Sequence, residues 1–162
     1  MVINSRGVSL YTHVVSQFKP AEARVKGIGS MNKVLVIDDN LSQGLKLKVG
    51  LEEQNFQVTV ATTSFEGFLA LKEGTPDLII LDAVLPDCDG VEMCKVLKKD
   101  YQTRHLPIIM FSNDNKLHNM VKAYEAGADY FIVKDEESNK ALLMLADSLL
   151  YRKSRRQVTL SA

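Results

Sequence analysis

The chain has 162 residues, 46% of them hydrophobic, and its 20 Lys+Arg balance 20 Asp+Glu to a formal charge of zero. That length suits one domain with a sizeable core plus tails. The balanced charge excludes a global pull toward nucleic acid or membrane, and no apolar run reaches the ~18–20 residues of a membrane span.

Residues 1–30 carry Arg6, Lys19, Arg24 and Lys26 against Glu22 alone, and end in the Gly/Ser stretch "KGIGS" (26–30). "SLYTHVVSQF" (9–18) is too broken by polar residues for a signal peptide. This segment reads as an N-terminal extension, loosely ordered or adding a helix or strand outside the core, with Met31 a candidate start of the domain. From there compact apolar runs alternate with helical spacing. The run 33–37 (KVLVI) precedes Leu45, Val49 and Leu51, and 56–60 (FQVTV) precedes Phe65, Phe68, Leu69 and Leu71. After 77–81 (DLIIL) come Val91, Cys94 and Leu97; after 107–111 (PIIMF) come Leu117, Val121 and Tyr124. The run 129–133 (DYFIV) leads to Leu142, Leu145, Leu149 and Leu150. Gly74, shortly before Pro76, and Gly127 are the expected helix stops.

Continuous apolar runs of strand length imply parallel strands buried on both faces. Five β–α units in strict alternation imply an α/β fold with a doubly wound, five-stranded parallel sheet and five helices over residues 31–150. The basic run "YRKSRRQ" in 151–162 reads as a solvated tail whose charge suits a helix C-terminus. The remaining tail of about 12 residues is too short for an effector domain, so the chain is expected to be a stand-alone unit or part of a longer regulator. Cys88 and Cys94 match no paired metal-ligand spacing and read as reduced thiols of a cytoplasmic protein.

In open α/β sheets the ligand site lies beyond the carboxyl ends of the strands. Asp38 and Asp39 end the first strand, Asp82 the third, Ser112 the fourth and Lys134 the fifth. A polar residue after a strand is ordinarily a turn former or helix cap, and a lysine there is ordinarily solvated. Five such residues at one edge are harder to dismiss. Adjacent carboxylates behind a buried strand disfavour each other's charge, and a divalent cation removes that penalty. Three carboxylates without Cys or His suit Mg²⁺, which commonly bridges carboxylates to phosphate. Lys134 can neutralise a phosphoryl oxygen, Ser112 can donate to another, and Asp82, on the central strand, can act as the nucleophile. The chemistry reads as metal-assisted phosphoryl transfer onto an Asp.

The fragments "VLVIDDN", "PDLIILDAVLPDCDG", "LPIIMFS" and "AGADYFIVKD", in this order and spacing over about residues 31–150, resemble the receiver domain of bacterial two-component response regulators. The resemblance implies strand order 2-1-3-4-5, Asp82 as phosphoacceptor, and Asp39 as a direct Mg²⁺ ligand with Asp38 as its partner. It implies the Val84 carbonyl as a further ligand, Ser112, the Asn113 backbone and Lys134 around the phosphate, and Phe131 as an aromatic switch that tucks inward when Ser112 moves. It also implies a histidine kinase or phosphotransfer protein as donor, a downstream effector that the sequence does not identify, and no direct nucleic-acid binding. Any catalysis is limited to the protein's own phosphorylation and dephosphorylation. Two positions depart from the family: Asp135 follows Lys134 where Pro is usual, and Asn113 follows Ser112 where a small residue is usual. These motivate a second reading, a degenerate receiver that binds proteins without phosphorylation. A haloacid-dehalogenase-type phosphatase needs D-x-D after the first strand, and a flavodoxin needs a Ser/Thr/Gly-rich phosphate loop there; "DDNLSQG" has neither.

Overall fold

The structure, a computed structural model, describes residues 2–4, 31–135 and 137–160, with side chains from 31 to 151 except 136. The strands are β1 (Val2–Asn4), β2 (Lys33–Ile37), β3 (Gln57–Ala61), β4 (Leu78–Asp82), β5 (Ile108–Ser112) and β6 (Tyr130–Val133). The helices are α1 (Leu41–Glu52), α2 (Ser64–Glu73), α3 (Gly90–Lys99), α4 (Leu117–Glu125) and α5 (Ser138–Leu160). The sheet runs β1-β6-β5-β4-β2-β3. Among the parallel strands alone, read from the β3 edge, this is the expected order 2-1-3-4-5.

Every residue of β4 and β5 is buried, as helices on both faces of a parallel sheet require. Alternate strand residues feed two cores. Leu35, Ile37, Ile79, Leu81, Ile108 and Met110 pack with Met93 and Leu97 of α3 and Met120 and Ala123 of α4, with Phe68 and Leu71 of α2 against them. Val34, Val36, Leu78, Ile80, Ile109 and Phe111 pack with Leu47 and Leu51 of α1 and Leu142, Leu145 and Leu150 of α5.

The expected strands are all present, most of them starting one residue later than the apolar runs suggest. The helices are present too, yet several apolar residues that signalled them face outward. Leu45, Val49, Phe65, Leu69, Leu117 and Val121 are exposed, whereas α1 turns Gly44, Leu47 and Leu51 inward and α2 turns Ser64 and Gly67 inward. Close approach is the reason: a Cβ on Gly67 would lie 2.7 Å from Ile37 Cδ1. A scan for apolar side chains passes over a glycine contact of this kind. α2 stops at Gly74, and α4 stops before Gly127, whose φ of +101° is in the left-handed region.

Two differences lie at the ends. Val2–Asn4 pairs antiparallel with β6, Ile3 opposite Phe131, so the N-terminal extension does add a strand to the sheet; the "KGIGS" linker lies outside the described residues. The basic run 151–157, expected to follow the last helix, is instead within α5, which continues to Leu160. Arg, Lys, Gln and Leu are good helix formers, and neither Gly nor Pro interrupts the run.

The outward stripe of α1 has a direct test. Leu47→Ala is expected to cost about 3 kcal/mol in urea unfolding, whereas Leu45→Ala should stay within about 0.5 kcal/mol. Equal losses would mean that the helix is rotated relative to the face described.

Candidate functional site

The sheet itself brings the acids together. β2 and β4 are parallel neighbours with Ile37 opposite Leu81, so the next step along both strands sets Asp38 beside Asp82. Both are buried, at 1% and 4% exposure, despite their charge. Asp39 is exposed. Oxygens of Asp38, Asp39 and Asp82 lie within 4.8 Å of one another. β6 is two strands from β4, and Lys134 just past its end reaches back to both buried acids. Its Nζ donates to Asp38 Oδ2 at 2.8 Å and to Asp82 Oδ2 at 2.5 Å, and lies 5.1 Å from the centre of the Phe111 ring.

The second oxygen of each buried acid serves its own turn: Asp38 Oδ1 accepts from Asn40 N at 3.0 Å, and Asp82 Oδ1 from Val84 N at 3.0 Å. Asn40 then caps α1 by accepting from Gln43 N. The loop after Asp82 closes on itself, with Gly90 N donating to Ala83 O and Val84 bridging Asp89. A Cβ on Gly90 would lie 1.9 Å from the Asp82 carbonyl oxygen, so only glycine fits there.

Ser112, fully buried at the end of β5, accepts from Asp114 N at 3.1 Å through its hydroxyl. Its carbonyl accepts from Lys134 N at 2.7 Å. Asn113 is exposed. The expected aromatic switch, Phe131, is already inward here, 1% exposed in the same core as Met110 and Met120. The turn after Lys134 does differ from the Lys-Pro form. Asp135 N donates to Ser138 Oγ, and Asp135 Oδ1 accepts from Glu137 N. The departing residue thus organises the entry to α5, with its charge at the helix's positive end.

Sequence reasoning passed over Asp87. Its carboxylate accepts from Ser64 N at 2.9 Å, Ser64 Oγ at 2.8 Å and Phe65 N at 3.0 Å. The signal available in the sequence was the Thr63-x-x-Glu66 capping pattern, which marks a helix start but not its distant partner.

The electrostatics follow from burial. Desolvation pushes the Asp82 carboxyl above its ordinary range, and the hydrogen bond from Lys134 offsets only part of this. Burial alone would favour a neutral Lys134, but its hydrogen bonds to Asp38 and Asp82 outweigh that and raise its pKa. Three converging hard oxygens, one on the solvent side, fit a divalent cation that prefers oxygen and retains water.

Residues 34–146 match the family described as the response regulator receiver domain. The chain is 34% identical over 102 residues to the phosphate regulon transcriptional regulatory protein PhoB of Rhizobium meliloti, covering 63% of this chain and 45% of that protein. It is 34% identical over 122 residues to the transcriptional regulatory protein ResD of Bacillus subtilis, covering 75% and 49%. The chain thus spans about half the length of the curated relatives it matches. Its fold superposes on a CheY-like response regulator receiver domain protein from Methanospirillum hungatei with a TM-score of 0.68, at 26% identity, covering 78% of this chain and 99% of that one.

A raised Asp82 pKa means that the folded chain binds this proton more tightly than the unfolded chain. Stability therefore falls as pH rises from about 3.9, the ordinary value, through the raised one, and ionised Asp82 is a net cost at neutral pH. In metal-free buffer at pH 7, Asp82→Asn is therefore expected to raise the Tm. The gain should vanish below about pH 3.5, where the wild-type carboxyl is protonated in both states. A loss of stability at pH 7 would show that the Lys134 pair outweighs the burial cost.

Proposed function

This chain belongs to the response regulator receiver domain family, and from that premise we propose that it is a phosphorylation switch with Asp82 as acceptor, Mg²⁺ as cofactor and a phosphohistidine protein as donor. One observation carries the reading: the buried Asp82 carboxylate meets a second carboxylate and an ammonium from remote strands. A purely structural site has little reason to bury two acids against one lysine where an apolar cluster would pack as well.

An Asp82 carboxylate oxygen attacks the donor's phosphorus. The P–N bond to the imidazole breaks as the P–O bond forms, and the imidazole leaves with its electron pair and takes up a proton from solvent. Asp38, Asp39, Asp82 and the Val84 carbonyl are the residues that would hold Mg²⁺, which supplies positive charge against the acidic cluster and the phosphoryl oxygens. Lys134, which bridges Asp38 and Asp82 at rest, supplies an ammonium to a phosphoryl oxygen. Ser112 turns its hydroxyl from the Asp114 N–H to donate to another, and the Asn113 N–H would assist. Ser112 and Lys134 are joined through the backbone, so this motion reaches the end of β6. With Phe131 already packed inward, the moving parts are Ser112 and the loop into α4, and the face formed by α4, β6 and α5 is the docking surface that changes.

Incubated with Mg²⁺ and excess acyl phosphate or phosphorylated donor, the wild-type chain should gain about 80 Da, one PO₃H unit. Asp82→Asn should gain nothing while its amide spectrum keeps the folded pattern. Asp39→Asn should need roughly tenfold more Mg²⁺ for equal labelling. A wild-type chain that never gains mass would instead assign this site to a receiver that docks without phosphorylation.

A further inference from the structure

The loop between β4 and α3 has a pinned stem. Val84 bridges Asp89, and Gly90 N donates to Ala83 O. Its tip carries Asp87, and the tip is anchored elsewhere, on the first turn of α2. Both Asp87 oxygens are engaged there, by two backbone N–H groups and the Ser64 hydroxyl. Those backbone groups have no acceptor within the helix, and the helix dipole favours an anion at this end. Hydrogen bonds from Ser64 and Phe65 accordingly hold the Asp87 carboxyl below its usual range.

Capping α2 is only part of what this contact does. Thr63 Oγ1 already accepts from Glu66 N, and Glu66 reaches back to Thr62 N and Oγ1. Those local contacts leave Ser64 N and Phe65 N to Asp87, so the remote carboxylate completes the cap and in doing so links two loops. The other end of the same segment takes part as well, because Ala61 O accepts from Asp38 N at 3.0 Å. Residues 61–65 thus tie the Asp38–Asp39 turn on one side and the Val84 loop on the other.

We infer that Asp87 is a positioning residue of the cation site, fastening the acceptor loop to α2 so that Val84 keeps a fixed place beside Asp38, Asp39 and Asp82. The inference rests on the proposed Mg²⁺ reading. Mg²⁺ demands near-ideal octahedral geometry, so a loosened loop should weaken its binding more than it weakens the fold.

The test is a Mg²⁺ titration of the full chain, followed by amide shifts and by calorimetry. Asp87→Ala should weaken binding roughly tenfold. Asp87→Asn, which keeps one acceptor oxygen, and Ser64→Ala, which keeps both backbone donors, should each lose less. At saturating Mg²⁺ the Asp87→Ala labelling rate should return to that of the wild type, because the acceptor and phosphate-binding groups are untouched. Thr103→Ala is the control for general destabilisation: it removes the hydrogen bond from Thr103 Oγ1 to Leu97 O, away from the carboxyl ends of the strands, and should leave Mg²⁺ affinity unchanged. Unaltered affinity in Asp87→Ala, or a loss no greater than in Thr103→Ala, overturns the positioning role while leaving the switch intact. A wild-type chain that binds no Mg²⁺ overturns both.

Discussion

Two carboxylates buried side by side at neighbouring strand ends set the terms for everything around them. Asp38 and Asp82 are adjacent because β2 and β4 are adjacent and in register, so no local rearrangement separates them. At about 4 Å and an effective dielectric near 20, two such charges repel by about 4 kcal/mol. The counter-charge cannot come from β2 or β4: Val34–Ile37 and Leu78–Leu81 are core, and Lys33 lies at the opposite end of β2. It comes from Lys134, two strands along the sheet. The strand order is thus what makes the acidic pair tolerable: moving β6 elsewhere would strand both anions in the core. Because a single ammonium balances two carboxylates, with Asp39 close by, the pocket still favours a further positive charge.

The loops around this cluster share one device. An aspartate accepts from the N–H two residues on at Asp38, Asp82, Asp89, Asp114 and Asp135, and Ser112 does the same through its hydroxyl. Such side-chain turns end strands and start helices without backbone partners. At Asp38 and Asp82 the two oxygens divide the work, one shaping the turn and the other meeting Lys134. A polar residue after a strand poses a choice between turn former and functional group, and these two residues are both at once. The turn also has a mechanical role, since engaging one oxygen fixes the carboxylate plane and so aims the other.

What the sequence made legible follows from which signals are local. The central strands showed as apolar runs because they are buried on both faces, and Asp38, Asp39, Asp82, Ser112 and Lys134 could be placed at one edge because parallel topology sends all the carboxyl ends the same way. Helices showed by spacing, and the inner faces of α3 and α5 with them, but not those of α1 and α2: Gly44, Ser64 and Gly67 line the contacts while Leu45, Val49 and Phe65 look outward. Val2–Asn4 is too short for periodicity, and its pairing with β6 is a long-range event. The grip of Asp87 on Ser64 was hidden for the same reason, since a capping partner in another loop leaves no trace in local spacing. The roles of Asn113 and Phe131 rested on family resemblance, and the packing of Phe131 in this structure is a matter of conformational state that sequence does not encode.

The proposed switch can be weighed by its contacts. A phosphoryl group on Asp82 would gain charge-assisted hydrogen bonds from Lys134 and Ser112, each of about 1.5–3 kcal/mol. Against this stand the loss of the Ser112–Asp114 hydrogen bond, about 1 kcal/mol, and the withdrawal of Lys134 from part of its present pairing. Even before the Lys134 withdrawal is counted, the net is about 2–5 kcal/mol, short of the ~5.5 kcal/mol that takes a two-state element from 1:99 to 99:1. A switch of this strength therefore works best on an element that is already nearly balanced. Phe131, packed in the core with Met110 and Met120, fits such an element. In the proposed switch the aromatic would contribute packing to both states, and the main movement would fall to the Ser112 loop. A smaller rearrangement requires less free energy to drive, and two hydrogen bonds are then enough.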